Sequence, residues 1–151
     1  MNKHRIILVF PGPNYNLEYS LKERCEKLSA NYRGTIITSG PRHQTLIYDQ
    51  FNIICFKDPL TKSFLSTVGF IFYSLYFLSK ARLQQDKYEL FITYDPLKTG
   101  LVGALFAPLF GARLLVEVNG DYTQDIIYAN IPSRITRCLK KWAMITVERF
   151  V

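Results

Sequence analysis

The sequence predicts an α/β fold, a doubly wound parallel sheet with helices on both of its faces. Two observations lead to it. Apolar runs of strand length alternate with segments of helical period along the chain. The stretch from Tyr88 to Tyr122 places strand, helix and strand at the spacing of a βαβ unit. At 151 residues and 48% hydrophobic composition, the chain holds enough apolar side chains for one core, so a single domain over 1–151 is expected.

The βαβ stretch reads YELFITYDPLKTGLVGALFAPLFGARLLVEVNGDY. Strands are predicted over Leu90–Thr93 and Leu114–Val118, with a helix over 97–110 between them. Asp95 is a good N-cap for that helix, and Gly111 ends it at the usual C′ position. Both strands are apolar at successive positions, which is typical of parallel strands buried on both faces.

The same signals predict the other elements. Leu17, Leu21, Cys25 and Leu28 recur at helical spacing, and so do Ile135, Leu139, Trp142 and Thr146 near the end of the chain. Turn residues separate the apolar runs, and Asp49-Gln50 stands between two of the short strand candidates. In chain order we expect a strand over Arg5–Phe10, a helix from Asn16, strands over Gly34–Thr38, Thr45–Tyr48 and Phe51–Phe56, a long helix over Ser63–Gln85, and a last helix capped by Ser133.

The βαβ stretch resembles the N-terminal half of glycosyltransferase family 4. In that family a run similar to YELFITYDP…GARLLVEVNG comes before the cleft between two Rossmann-like domains, the GT-B architecture. The resemblance implies a Rossmann-like fold and a retaining glycosyltransferase. Such an enzyme moves a sugar from a nucleotide-sugar donor to a glycan or a lipid-linked acceptor.

The resemblance also implies that this chain is the acceptor-side domain alone. In the family the last helix leads into another strand and then into a second domain, which holds most of the donor nucleotide. The helical pattern here still continues at residue 151, so the sequence looks truncated. By itself the chain is expected to be inactive without that C-terminal domain or a partner chain that replaces it.

The best candidate for the catalytic site is the end of the last predicted strand, with Glu117, Asn119, Gly120 and Asp121. By resemblance, Asn119 stands where many family members have a histidine beside the reacting sugar. An amide does not act as a general base, so any proton transfer falls to Asp121 or Glu117. Two alternatives remain open: Asn119-Gly120-Asp121 is also an ordinary tight turn, and Glu117 can simply neutralise a nearby cation.

Other candidates for acceptor or cleft binding lie at predicted strand ends, where open parallel sheets bind ligands. Each of these candidates also has a purely structural interpretation. The loop after the first strand can be a capping turn, the residues around Asp95 can form a helix cap, and the loop that contains His43 can simply be solvated. The first loop has one glycine between two prolines, which argues against a dinucleotide site and departs from the Gly-Gly pair common in family 4. The candidates are Asn14, Tyr15 and Asn16 in that loop, His43 after the second strand, and Tyr94 and Lys98 at the helix start.

The net charge of +7 favours an anionic partner. Nucleic acid is not expected, because no nucleic-acid-binding module appears and the aromatic residues are not interleaved with Lys and Arg. The apolar segment 64–78 is too short to cross a bilayer, so it either packs on the sheet or lies on an anionic membrane surface. We therefore expect a cytoplasmic chain, peripheral on the inner membrane face in the second case.

No cofactor or metal is expected, the nucleotide-sugar donor being a substrate. Two histidines and three scattered cysteines do not assemble a metal site, and Cys25, Cys55 and Cys138 are expected to be reduced and buried.

The alternative function is a non-catalytic Rossmann-like subunit that recruits a separate catalytic chain to the membrane. That alternative predicts a large exposed apolar interface. A flavodoxin-like or response-regulator-like module is a weaker candidate, because the first loop cradles no phosphate and no acidic cluster occupies the strand ends.

Overall fold

The computed structural model describes residues 3–10, 20–57, 64–95 and 99–117, together with a last helical segment at 133–135, 137–138, 141–142 and 145–146. Six strands and three longer helices lie in the continuous ranges. The strands are β1 (His4–Val9), β2 (Tyr32–Gly40), β3 (Gln44–Tyr48), β4 (Phe51–Lys57), β5 (Leu90–Thr93) and β6 (Arg113–Val116). The helices are α1 (Ser20–Ser29), α2 (Phe64–Leu83) and α3 (Thr99–Phe110).

The strands form one sheet in the order β3-β4-β2-β1-β5-β6. All neighbours are parallel except β3 and β4, which form an antiparallel hairpin at one edge. The chain adds β2 and then β4 on one side of β1. It then crosses through α2 to the other side of β1, where it adds β5 and β6. The direction of strand addition therefore reverses between β1 and β5. The predicted α/β class and the mainly parallel sheet are confirmed.

Helices cover both faces of the sheet, and each face has its own apolar core. We call them the α1 face and the α2/α3 face. Because side chains alternate along a strand, Ile6 and Leu8 of β1 enter the first core, while Ile7 and Val9 enter the second. All four are fully buried, and burying each such side chain contributes about 1.5–3 kcal/mol relative to leaving it exposed.

Several local signals are confirmed. Strand β5 has the predicted bounds, and the Asp49-Gln50 turn joins β3 to β4, with Asp49 at a φ of 50°. Gly111 ends α3 at a φ of 65°, a left-handed conformation that glycine adopts without strain. The backbone N–H of Ala112 donates to the Ala107 carbonyl at 2.9 Å, as in a Schellman cap.

Other elements differ from their predicted form. Strand β6 is the outermost strand of the described sheet, its residues alternate in exposure, and Leu115 is 53% exposed. The expectation of burial on both faces is therefore wrong for it. Strand β2 is longer than predicted because it pairs with β4 from Gly34 to Gly40.

The three cysteines are free, but they differ in exposure. Cys25 and Cys55 are buried as expected, and burial, with the nearby charges of Asp49 and Glu26, raises the pKa of the Cys25 thiol to about 11. The expectation of burial is wrong for Cys138, which is exposed.

The start of the last helical segment is also described. The N–H of Arg137 donates to the Ser133 carbonyl at 2.9 Å, which agrees with a helix that begins at Ser133. Ile135 and Trp142 on its predicted apolar face are largely exposed. Among the residues that the structure describes, none of the helices combines the length and the apolarity that crossing a bilayer requires.

Two helical glycines provide a matched test of the packing on the α2/α3 face. A Cβ at Gly103 would lie 2.6 Å from Leu114 Cδ1 and 2.8 Å from Thr93 Cγ2, whereas a Cβ at Gly69 would meet the Phe56 ring at 3.8 Å, an ordinary contact. Gly103→Ala is therefore expected to lower the free energy of unfolding by about 1–3 kcal/mol through overpacking. Gly69→Ala is expected to raise it by roughly 0.5–1 kcal/mol, because alanine is the better helix former.

Urea denaturation of both variants beside the wild-type chain checks this prediction. If Gly103→Ala is as stable as the wild-type chain or more stable, the close packing of α3 against β5 and β6 is not as described.

Candidate functional site

The candidate site lies at the carboxyl edge of the sheet, where the strand order reverses between β1 and β5. In open α/β sheets this is where ligands bind, because the connections on the two sides part and leave a crevice. Phe10 follows β1 and Tyr94 follows β5. Their rings stack with centroids 3.9 Å apart and planes inclined by 12°, and both side chains are buried. The stacked rings therefore form the buried base of the site, at the ends of β1 and β5.

Arg24 of α1 connects this aromatic pair to the end of β6. Its guanidinium donates hydrogen bonds to the Tyr94 hydroxyl and, at 3.2 Å, to Glu117 Oε2. The carbon of the same guanidinium lies 4.5 Å from the Tyr94 ring centroid and 5.8 Å from that of Phe10, so the cation stands close to both rings. Arg24, Tyr94 and Glu117 form what we call the switch-point cluster: Arg24 belongs to α1, and Tyr94 and Glu117 directly follow β5 and β6.

The cluster is partly open to solvent. The Arg24 side chain is 37% exposed and that of Glu117 43%. Burial by itself lowers the pKa of Arg24, but its interactions with Tyr94 and Glu117 outweigh this effect and raise the pKa above its ordinary value. Arg24 is therefore a permanent cation. The Glu117 carboxylate beside it presents its remaining acceptor capacity to solvent, where it can accept hydrogen bonds from ligand hydroxyl groups.

The turn between β5 and α3 holds Tyr94 in place. The buried Thr99 hydroxyl accepts the backbone N–H groups of Tyr94 at 3.0 Å and Asp95 at 3.1 Å, and donates to the Asp95 carbonyl. The Asp95 carboxylate accepts the N–H of Thr99 at 3.3 Å, and the Gly100 N–H donates to the Asp95 carbonyl at 2.7 Å. Asp95 thus provides the negative charge at the start of α3, as expected of an N-cap.

Three further hydroxyl groups, those of Thr38, Ser39 and Thr93, are buried near the same edge. They lie at the carboxyl ends of β2 and β5 and have no hydrogen-bond partner among the described residues. An unpaired buried hydroxyl costs about 1–3 kcal/mol, so such groups are uncommon in the core of a sheet.

The structure brings two of the predicted site residues together and keeps a third apart. Tyr94 and Glu117 meet through Arg24 on the α1 face. His43 is exposed, with its ring 5.8 Å from the Tyr73 ring of α2, so it lies towards the α2/α3 face and outside the cluster. The other candidates are outside the described residues: Asn14, Tyr15, Asn16, Lys98, Asn119, Gly120 and Asp121.

Sequence reasoning did not single out Arg24. Its neighbours in α1 form an exposed i,i+4 ion pair, with Lys27 Nζ 2.7 Å from Glu23 Oε1. Arg24 lies between that solvated side and the apolar stripe that contains Leu21 and Cys25. The signal that could have identified Arg24 is its position beside the apolar stripe of α1. A long cationic side chain there can extend past the edge of the helix to a polar strand end.

Compared with known proteins, the chain matches no family model and no curated protein. Within the described ranges no group of three or more His, Cys, Asp or Glu side chains lies close enough to hold a metal ion.

Removing the Arg24 guanidinium tests whether the cluster holds α1 to the strand ends. Arg24→Gln loses two charge-assisted hydrogen bonds and the contact over Tyr94, and should lower the free energy of unfolding by about 1–2 kcal/mol once solvent screening of the partly exposed pair is allowed for. Arg24→Lys keeps the charge but loses the planar fork, so an intermediate loss is expected.

Lys27→Gln on the same helix is the matched control, because its pair with Glu23 is about 70% exposed and should contribute much less to stability than the Arg24 contacts do. Urea denaturation at low ionic strength measures all three variants. An Arg24→Gln loss no larger than that of Lys27→Gln would contradict the structural role of the cluster.

Proposed function

We propose that the chain is a Rossmann-like, acceptor-side domain of a retaining GT-B glycosyltransferase, which transfers a sugar from a nucleotide-sugar donor to a glycan or lipid-linked acceptor. The observation that carries the proposal is the switch-point cluster, a half-exposed carboxylate and a fixed guanidinium at the point where the strand order reverses. The sequence resemblance over 88–122 supplies the reaction class. Strand order β4-β2-β1-β5-β6, with the β3 hairpin added at the edge, is compatible with half of such an enzyme.

In this proposal the cluster binds acceptor hydroxyl groups and does not itself move protons. Glu117 is held by Arg24 and accepts hydrogen bonds, while Tyr94 is fixed by its own hydroxyl and by Thr99. Asn119, two residues beyond Glu117, contacts the transferred sugar, and Asp121 is the candidate for proton transfer. A second domain binds the nucleotide, and its closure over this edge excludes water from the reaction.

A second candidate function is a non-catalytic subunit that recruits a catalytic chain. It is favoured by the outward side of α3, where Leu105 is 49% and Leu109 55% exposed and the helix contains no charged residue. An apolar helix side of this kind is typical of an interface with another protein domain. In this case the partner chain would supply the donor site.

We also propose that the outward side of α2 rests on an anionic membrane surface. Phe72 and Tyr76 are 66% and 68% exposed at i,i+4 spacing, so they share one side of the helix. Lys80 and Arg82 follow in the last turn. Aromatic side chains beside cations suit the interface between lipid headgroups and acyl chains.

The proposed sugar-transfer function is tested in a complete two-domain enzyme that contains this chain. Asn119→Ala and Asp121→Ala are each expected to lower kcat by about 10²–10³-fold, because both act at the reacting sugar. Asn31→Ala, in the exposed turn after α1, is the matched control and should leave turnover unchanged. Radiolabelled sugar transfer measures the three variants, and full activity in both site variants would remove the strand-end assignment.

Membrane contact is tested by flotation with vesicles of phosphatidylglycerol or of phosphatidylcholine. Binding to the anionic vesicles is expected to fall as salt rises, and to be lost in the Phe72→Ser/Tyr76→Ser double variant. Ile47→Ser is the control, because Ile47 is 79% exposed on β3 at the sheet edge and is not part of this helix. Equal binding by all variants would exclude α2 as the contact surface.

A further inference from the structure

A second cleft lies at the amino edge of the sheet, at the opposite ends of the strands from the switch-point cluster. Its volume is about 240 Å³. It is bounded by the first residues of β1, β2 and β4 and by the turn before β4. The residues that line it are Arg5, Arg33, Gly34, Thr35, Gln50 and Asn52.

Two arginines of the cleft lie side by side. Arg5 and Arg33 are register partners on the adjacent parallel strands β1 and β2, so their backbones are only about 4.8 Å apart. Like charges at directly neighbouring positions destabilise a sheet by roughly 0.2–1 kcal/mol. The neighbouring arginines therefore destabilise the sheet unless negative charge lies nearby.

Only one of the two charges is compensated by the described part of the protein. Arg5 Nη1 lies 2.7 Å from Asp86 Oδ1, and its guanidinium stands 4.8 Å from the Tyr88 ring centroid. Arg33 is exposed and forms no ion pair with any described residue. Its guanidinium retains hydrogen-bond donors for a ligand.

The rest of the cleft is rich in donors and contains no carboxylate among its described lining residues. Asn52 and Gln50 contribute exposed side-chain amides, and their NH₂ groups are donors. Thr35 is 4% exposed, and its hydroxyl lies 3.4 Å from the Tyr88 hydroxyl, a long contact that leaves the pair able to bond a ligand oxygen. A ligand that only accepts hydrogen bonds and carries negative charge fits this lining.

We propose that the amino-edge cleft binds a phosphate group, with Arg33 as the main ligand-binding side chain and Asn52, Gln50 and Thr35 as neutral donors. The planar guanidinium matches two phosphate oxygens at once, which a lysine at this position would not do. The phosphate belongs either to a small soluble molecule or to an anionic lipid headgroup. Neither source involves the carboxyl edge, so this site is separate from the proposed sugar-transfer site.

The test uses the whole 151-residue chain and backbone NMR. Titration with inorganic phosphate, against chloride at equal ionic strength, is expected to shift the amide signals of Gly34, Thr35 and Asn52 and to leave those of Tyr94 and Glu117 in place. Arg33→Gln should weaken phosphate binding at least tenfold, the effect of losing a charge-assisted hydrogen-bond pair. Arg134→Gln, which removes the same charge from the exposed last helical segment, should bind as the wild-type chain does.

A second arm identifies the source of the phosphate. If inorganic phosphate causes no shift but phosphatidylglycerol vesicles bind in a manner that Arg33→Gln abolishes and Arg134→Gln does not, the cleft takes a lipid headgroup. If neither probe binds, the cleft is not a phosphate site. If the two arginine variants lose binding equally, the cleft is again not the site, and the attraction comes from net charge alone.

Discussion

The burial of β1 is the constraint on which the rest of the structure depends. This strand pairs with β2 on one side and β5 on the other, and its side chains from Ile6 to Val9 are fully buried on both faces. Between Ile6 and Val9 the backbone groups of β1 are paired with both neighbouring strands, and the apolar packing leaves no room for polar side chains. The charged side chains Arg5 and Arg33 therefore lie at the starts of β1 and β2.

The two ends that result have different chemistry. At the carboxyl end the chain leaves β1 and β5 in opposite directions, and the gap is filled by Phe10, Tyr94 and the guanidinium of Arg24, with Glu117 on the solvent side. At the amino end the polar side chains come from the first residues of neighbouring strands, so Arg5 and Arg33 are placed together by register. The carboxyl edge thus combines stacked aromatic rings with an ion pair, and the amino edge concentrates positive charge.

Local signals predicted those elements whose form depends on nearby residues. The bounds of β5, the Asp49-Gln50 turn and the left-handed Gly111 are all decided within a few residues, by turn chemistry and by caps such as Asp95. The prediction was less successful for β6, because Leu114 to Val118 reads as a buried strand although no further strand pairs with its outer side in the described sheet. An apolar run alone does not tell whether a strand is central or at an edge.

By itself the sequence determined the α/β class, the polar character of the strand ends, and two members of the switch-point cluster, Tyr94 and Glu117. Those features follow from periodicity and from the residues that end each element. Only the tertiary structure decided that Arg24 joins those two, that His43 stands apart from them, and that Arg5 and Arg33 become neighbours. The physical reason is that strand order and register bring together positions separated by 28 to 93 residues, and no local pattern in the chain encodes that proximity.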